Sequence, residues 1–166
     1  GQRGAEEVAV AQKAGATAVR GADLLVGPHG GVRIQDHDGL AGHSDADALI
    51  HAICDALLGA AGLGDIGQHF PDTDPAYQDI NSMHLLAQTF KRVKRQGFSL
   101  GNMDATIFAE KPNLAPYKDA MQSTLAQALS VSPRQINIKA TTTEGLGAIG
   151  QGEGIAAMVI VLLTGL

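Results

Sequence analysis

No tryptophan occurs among the 166 residues, and aromatic residues make up only 4%. The core must therefore be aliphatic, since few large rings are there to fill it. The single cysteine, Cys54, excludes an internal disulfide framework and a cysteine-rich zinc site. It sits in an apolar helical stretch, where an inert buried thiol is the expectation. Positive charge is also short: 12 Lys and Arg stand against 17 Asp and Glu, for a net charge of −5. The one basic run, Lys91, Arg92, Lys94 and Arg95, reads as a solvated helix face rather than a nucleic-acid surface. The longest apolar stretch, Ile155–Leu163, falls far short of the roughly 20 residues of a membrane span. The opening residues lack a basic segment followed by an apolar run, so no signal peptide is expected. These absences point to a cytoplasmic protein with neither nucleic acid nor membrane as a partner.

Apolar residues reach 45%, enough for a real core, and the length suits one domain over 1–166 with residues 1–30 atypical. Val8 to Ala18 is read as a helix, Ala22 to Val26 and residues 31–34 as strands. Ser44 can cap a helix, with Asp47 three residues on. Leu49, Ile50, Ile53, Cys54, Leu57 and Leu58 form its apolar stripe. A second helix starts at Asn81 or Ser82 and ends at Gln96, with Gly97 as its left-handed stop. Residues 98–109 alternate as a strand, 117–130 form a third helix, and 135–141 alternate again with one polar side. Residues 155–163 read as a strand buried on both faces. The fold class is α+β: a mixed sheet with helices on one side.

Several clusters carry chemistry. Asp47, His51 and Asp55 are spaced i, i+4, i+8 and share one helix face, opposite the apolar stripe. That face is either a polar surface or a source of one metal ligand, and one histidine alone cannot hold zinc. "GHSDAD" sets His43 and Ser44 at a helix start, where phosphates are attracted, although a plain cap explains Ser44 equally. In "LGDIGQHFPDTDP", Asp65, Asp72 and Asp74 suit a cation or substrate hydroxyls, and Ile66–Gly67 allows close approach to the backbone. An acidic loop kept for solubility is the plainer reading. In "KATTTEG", Thr141, Thr142 and Thr143 suit phosphate oxygens and Glu144 a hard divalent ion, while three threonines alone signify only β-propensity. "AEKPNLAP" is a proline-bounded loop whose backbone could frame a planar base, or a bare loop.

Taken in order, "GHSDADALIHAICDALLGAAGLGDIGQHFPDTDP", "LGNMDATI", "AEKPNLAP" and "INIKATTTEGLG…GEGIA" resemble the 2-C-methyl-D-erythritol 2,4-cyclodiphosphate synthase family, over roughly residues 31–166. The resemblance implies a homotrimer with active sites between subunits. It implies cyclisation of 4-diphosphocytidyl-2-C-methyl-D-erythritol 2-phosphate with release of CMP, in the non-mevalonate route to isoprenoids. His43 and Ser44 would meet the phosphate end. Asp65, Ile66, Gly67, Phe70, Pro71, Asp72, Thr73 and Asp74 would line the methylerythritol phosphate pocket. Ala109, Glu110, Lys111, Pro112, Asn113, Leu114 and Ala115 match the cytosine loop. Thr141, Thr142, Thr143 and Glu144 match the nucleotide phosphate site, with Thr142 and Asp65 as the catalytic residues. His51 matches a ligand of zinc or another divalent transition metal, and Glu144 a ligand of magnesium or manganese.

The sequence departs from the family at two places. The Asp-x-His pair that supplies the other zinc ligands would fall at Thr17 and Val19, and neither is a fit replacement. Asp36 and His37 offer one alternative source. Ala148 and Gln151 stand where the family often has an aromatic and an arginine lining a channel for isoprenoid diphosphates. An active synthase with unnatural first residues, an active enzyme with other ligands, and a zinc-deficient cytidine-nucleotide-binding relative all follow from this pattern. A structural domain fused to a cytidylyltransferase is the non-enzymatic alternative.

Overall fold

A computed structural model describes residues 48–77 and 80–165 in full and the backbone of residues 6–15. Strand β1 (Glu6–Gly15) is followed by helices α1 (Ala48–Ala60), α2 (Ile66–His69) and α3 (Ser82–Arg95). Then come β2 (Phe98–Phe108), α4 (Lys118–Leu129), β3 (Ile136–Thr141), the short α5 (Gly147–Gly150) and β4 (Ile155–Gly165). The sheet order is β1-β4-β2-β3. β4 pairs antiparallel with β1 and β2, whereas β2 and β3 are parallel and joined through α4. This is the mixed sheet that alternation had indicated. No helix among the described residues is long and apolar enough to cross a membrane.

The predicted helix over Val8 to Ala18 is a strand over its described part, Glu6–Gly15. Small residues fit either period, and β-branched Val8 and Val10 favour extended backbone. What decides is the free edge of β4, which takes ladder partners from Glu6↔Thr164 to Gly15↔Ile155. The predicted strands at 22–26 and 31–34, and the cap at Ser44 with Asp47, lie outside the described residues.

The helices form one layer. α1 packs across β1 and β4, α3 lies against α1 and α4, and α4 sits beside β3. Leu49, Ile50, Ile53, Cys54, Leu57 and Leu58 of α1 are all buried, as the stripe required, and so are Ala52, Ala56 and Ala60. Helix α1 is thus enclosed on more than one side, and its alanines let its neighbours come close. Asn81 caps α3 by accepting from Met83 N at 2.8 Å, and Gly97 ends it at φ +86. Ser130, at φ 54, closes α4, ahead of the Ser132–Pro133 stop read from the sequence.

The expectation that β4 is buried on both faces is corrected. Val159, Val161 and Leu163 are buried, but Ile160 is 38% exposed and Met158 and Leu162 are half-buried. All the large helices lie on one face, so alternate residues of β4 point to an open one. β3 behaves likewise: Ile136 and Ile138 are buried, Asn137 and Lys139 exposed.

On that open face Asp104 of β2 accepts from Lys139 Nζ at 2.6 Å and from Asn137 Nδ2 at 2.8 Å. Partial burial raises its pKa, but the bonds from Lys139 and Asn137 and the lysine charge outweigh this and hold it below its ordinary value of 3.8. The folded carboxyl is the stronger acid. The pair therefore contributes fully above the unfolded pKa and is lost as pH falls through the folded one. An NMR titration of Asp104 should show a midpoint below the usual aspartate range that moves up in Lys139→Met. An unmoved midpoint would remove the lysine as its cause.

Candidate functional site

Two groups of the singled-out residues occupy different parts of the chain. The first is the acidic loop between α1 and α3. Asp65 caps α2, its Oδ1 accepting from Gln68 N at 2.9 Å. Asp74 folds its own loop, accepting from Ala76 N at 2.9 Å, while its N–H donates to Pro71 O at 3.0 Å. Asp65, Gly67, Asp72 and Thr73 are exposed, and Ile66, Pro71 and Asp74 are half-buried. Much of the acidity is thus used in local turn chemistry, and Asp72 is left facing solvent.

Phe70 is 6% exposed and belongs to the core. Its ring meets Tyr77 edge-on at 5.2 Å, and the Arg92 guanidinium lies 4.9 Å from its centroid. It anchors the loop from beneath. Arg92 also donates to His69 Nδ1 at 2.8 Å. The reading of Lys91, Arg92, Lys94 and Arg95 as a wholly solvated face is corrected here: three are exposed, but Arg92 is half-buried against the loop. Its long side chain reaches where sequence spacing does not show a target.

Asp55 is the other residue whose role the spacing did not reveal. Its Oδ1 accepts from Ile66 N at 2.9 Å, tying α1 to the first turn of α2. The face shared by His51 and Asp55 is therefore half-buried rather than the solvated side opposite the apolar stripe. A helical aspartate followed by a glycine-rich turn is the only signal the sequence carries for this bond. His51 is engaged within the fold. Asp47, His43 and Ser44 lie outside the described residues, as do Thr17, Val19, Asp36 and His37.

The second group lies at the carboxyl ends of the parallel strands β2 and β3. Phe108 is in register with Thr141, and Ala109 N donates to Thr141 O at 3.0 Å, joining the two loops. Ligands of open α/β sheets bind outside such strand ends. Ala109 and Leu114 are buried, Glu110 and Pro112 half-buried, and Lys111, Asn113 and Ala115 exposed. Asn113 Oδ1 accepts from Ala115 N at 3.1 Å and shapes the loop's exit. Glu110 Oε2 is a buried atom without a partner among the described residues.

Beyond β3, Thr141, Thr142 and Glu144 are exposed and Thr143 is half-buried. Thr142 Oγ1 accepts from Glu144 N at 3.3 Å, and Thr143 Oγ1 donates to Leu146 O at 2.8 Å. These bonds hold Glu144 at φ 53, a left-handed backbone that costs a non-glycine residue about 1–3 kcal/mol. Close packing of the next turn adds to this: a Cβ at Gly150 would sit 2.2 Å from the Gly145 carbonyl carbon. Glu144 itself is exposed, next in sequence to the threonine hydroxyls of this turn.

Metal capacity differs between the groups. Among the described residues, no three His, Cys, Asp or Glu side chains lie together as a metal site. A zinc-type ion needs such a set. A magnesium-type ion does not, since it takes one or two carboxylates plus substrate phosphate oxygens.

A family model described as the YgbB family matches residues 19–164. The chain belongs to this family. Proteins named 2-C-methyl-D-erythritol 2,4-cyclodiphosphate synthase are similar to it. That of Desulfatibacillum aliphaticivorans is 55% identical over 134 residues, 81% of this chain and 86% of that protein. That of Moorella thermoacetica is 59% identical over 134 residues, 81% of this chain and 82% of that protein. Among solved structures, the bifunctional IspDF from Campylobacter jejuni is 40% identical with a TM-score of 0.84, covering 98% of this chain and 43% of that one. A CDP-bound 2C-methyl-D-erythritol-2,4-cyclodiphosphate synthase is 29% identical with a TM-score of 0.74, covering 96% of this chain and 99% of that one.

Asp55→Ala should free the Ile66 N–H and loosen the acidic loop while α1 stays folded. The expected cost is about 1.5–3 kcal/mol, as for a hydrogen bond to a charged group. Denaturant unfolding and exchange of the Ile66 amide read it. An unchanged exchange rate would show that the bond does not hold the loop.

Proposed function

We infer that this chain is a cyclodiphosphate synthase, a lyase of isoprenoid biosynthesis. It cyclises 4-diphosphocytidyl-2-C-methyl-D-erythritol 2-phosphate to the 2,4-cyclodiphosphate and releases CMP. The observation that carries the reading is the pair of adjoining loops at the ends of β2 and β3, Ala109–Ala115 and Thr141–Glu144, in a family member. A base-framing loop beside a hydroxyl-rich turn is what a nucleoside diphosphate needs.

In the reaction an oxygen of the 2-phosphate bonds to the β-phosphorus, and the bond from that phosphorus to the bridging oxygen breaks. CMP departs with the bridging oxygen. No protein nucleophile takes part, so catalysis is placement and charge neutralisation. In this reading Thr142 and its backbone neighbours hold the diphosphate, and Asp65 orients the methylerythritol hydroxyls. Ile66, Gly67 and the residues from Phe70 to Asp74 wall that end, and His43 and Ser44 receive the phosphate there. Glu144 fits a magnesium or manganese ion, since its exposed carboxylate and the substrate's phosphates are the hard oxygen donors such an ion takes. When bound, the ion neutralises phosphate charge. For zinc, the described residues offer His51 without a completing set.

A homotrimer accounts for the open sheet face. Ile160 at 38% exposure, with half-buried Met158, Leu162 and Phe108, puts apolar side chains on this face alongside Asp104 and Lys139, a mixed surface for copies of the same chain to cover. The bonds that hold the acidic loop run to α1 and α3, while the other two loops follow the carboxyl ends of β2 and β3. A site shared between subunits would bring the two groups together. The single cysteine, Cys54, is buried, which agrees with a reducing cytoplasm.

With the diphosphocytidyl substrate and magnesium, phosphorus NMR should show CMP and the cyclic diphosphate rising in equal amounts. Glu144→Gln should lower the rate by about 100-fold, the scale of a lost electrostatic stabiliser. CDP binding without any turnover would instead support a non-catalytic relative. Separately, Ile160→Glu should convert the trimer to monomers in sedimentation. A wild-type monomer would refute the assembly.

A further inference from the structure

We propose that Arg92 and His69 form a clamp that positions the substrate-facing acidic loop. They are positioning residues rather than catalytic ones. The proposal rests on the synthase reading for its kinetic consequence, but its geometry stands alone.

The His69 ring is engaged on both nitrogens. Nε2 lies 2.6 Å from Leu63 O, and Nδ1 lies 2.8 Å from Arg92 Nη1. A carbonyl oxygen only accepts and a guanidinium only donates. The ring must therefore be neutral, with its proton on Nε2. That single tautomer links α3 to the backbone two residues before Asp65. The same guanidinium covers the Phe70 ring at 4.9 Å, two residues before Asp72. Arg92 thus holds both shoulders of the segment carrying Asp65, Ile66 and Gly67. Asp55 bonds the middle of that segment, through Ile66 N, from the other helix.

The clamp is partly buried and spans 23 residues of sequence, so it cannot be a by-product of local turn formation. Lys91, the neighbouring cation, is exposed on the same helix and serves as the control. Losing the clamp leaves the loop's groups intact but spreads their positions. Binding weakens in ground and transition states alike, which raises KM more than it lowers kcat.

The test compares His69→Ala, Arg92→Ala, the double variant, His69→Gln and Lys91→Ala. Glutamine keeps one donor and one acceptor, so it can replace the neutral ring. His69→Ala and Arg92→Ala should each raise KM roughly tenfold with kcat changed less than about threefold, and the double variant should be no worse than either. His69→Gln and Lys91→Ala should stay near wild type. Additive losses in the double variant, or His69→Gln as impaired as His69→Ala, would overturn the clamp. Hydrogen exchange separates this from failure of the synthase reading. Amides of residues 64–70 should exchange faster in the two alanine variants than in wild type or His69→Gln, whether or not the wild type releases CMP. No acceleration in either alanine variant overturns the proposal.

Discussion

β4 has to satisfy backbone partners on both edges while only one of its faces is covered, and the rest of the architecture depends on that constraint. Its antiparallel pairing with β2 sets the register of the strand that leads into the Ala109–Ala115 loop. Its pairing with β1 turns an otherwise ambiguous small-residue segment into a strand. Its buried alternate residues, Val159, Val161 and Leu163, supply part of the floor on which the helical layer rests. The uncovered alternates leave Ile160 exposed and Met158 and Leu162 half-buried, beside the Asp104–Lys139 pair.

From this frame the two functional groups acquire their different characters. The strand-end loops are held by a sheet: parallel β2 and β3 end side by side, and one backbone bond fixes Ala109 against Thr141. The acidic loop is held by helices through side chains, Asp55 from α1 and Arg92 from α3. Such side-chain ties allow the loop to be exposed at Asp65 and Asp72 and still be ordered. At the sheet end the groups left exposed are the hydroxyl-bearing Thr141 and Thr142 and the carboxylate-bearing Glu144.

Periodicity made the covered elements legible in the sequence. Leu49, Ile50, Ile53, Cys54, Leu57 and Leu58 of α1, and Ala105 and Ile107 of β2, are buried as their spacing required. Val8 to Ala18 was not legible, because small residues carry neither period strongly and a distant strand edge chose between them. Nor were the faces of β4, since an unbroken apolar run reads alike whether its second face meets helices or another chain. The candidate site residues stand in the sequence as ordered motifs, and Glu144's left-handed backbone followed no sequence rule. Asp55 and Arg92 looked like polar helix residues because their partners lie 11 residues and 23 residues away. Only packing reveals such bonds.

The central claim is that one working site needs the acidic loop of one chain and the strand-end loops of another. Co-expression of Asp65→Asn and Thr142→Val chains, each inactive alone, tests it directly through CMP release by the mixed assemblies. A shared site predicts that activity returns, because some interfaces combine a wild-type Asp65 with a wild-type Thr142. If mixed assemblies form and release no CMP, both groups act within a single chain, and the account of a composite site is contradicted.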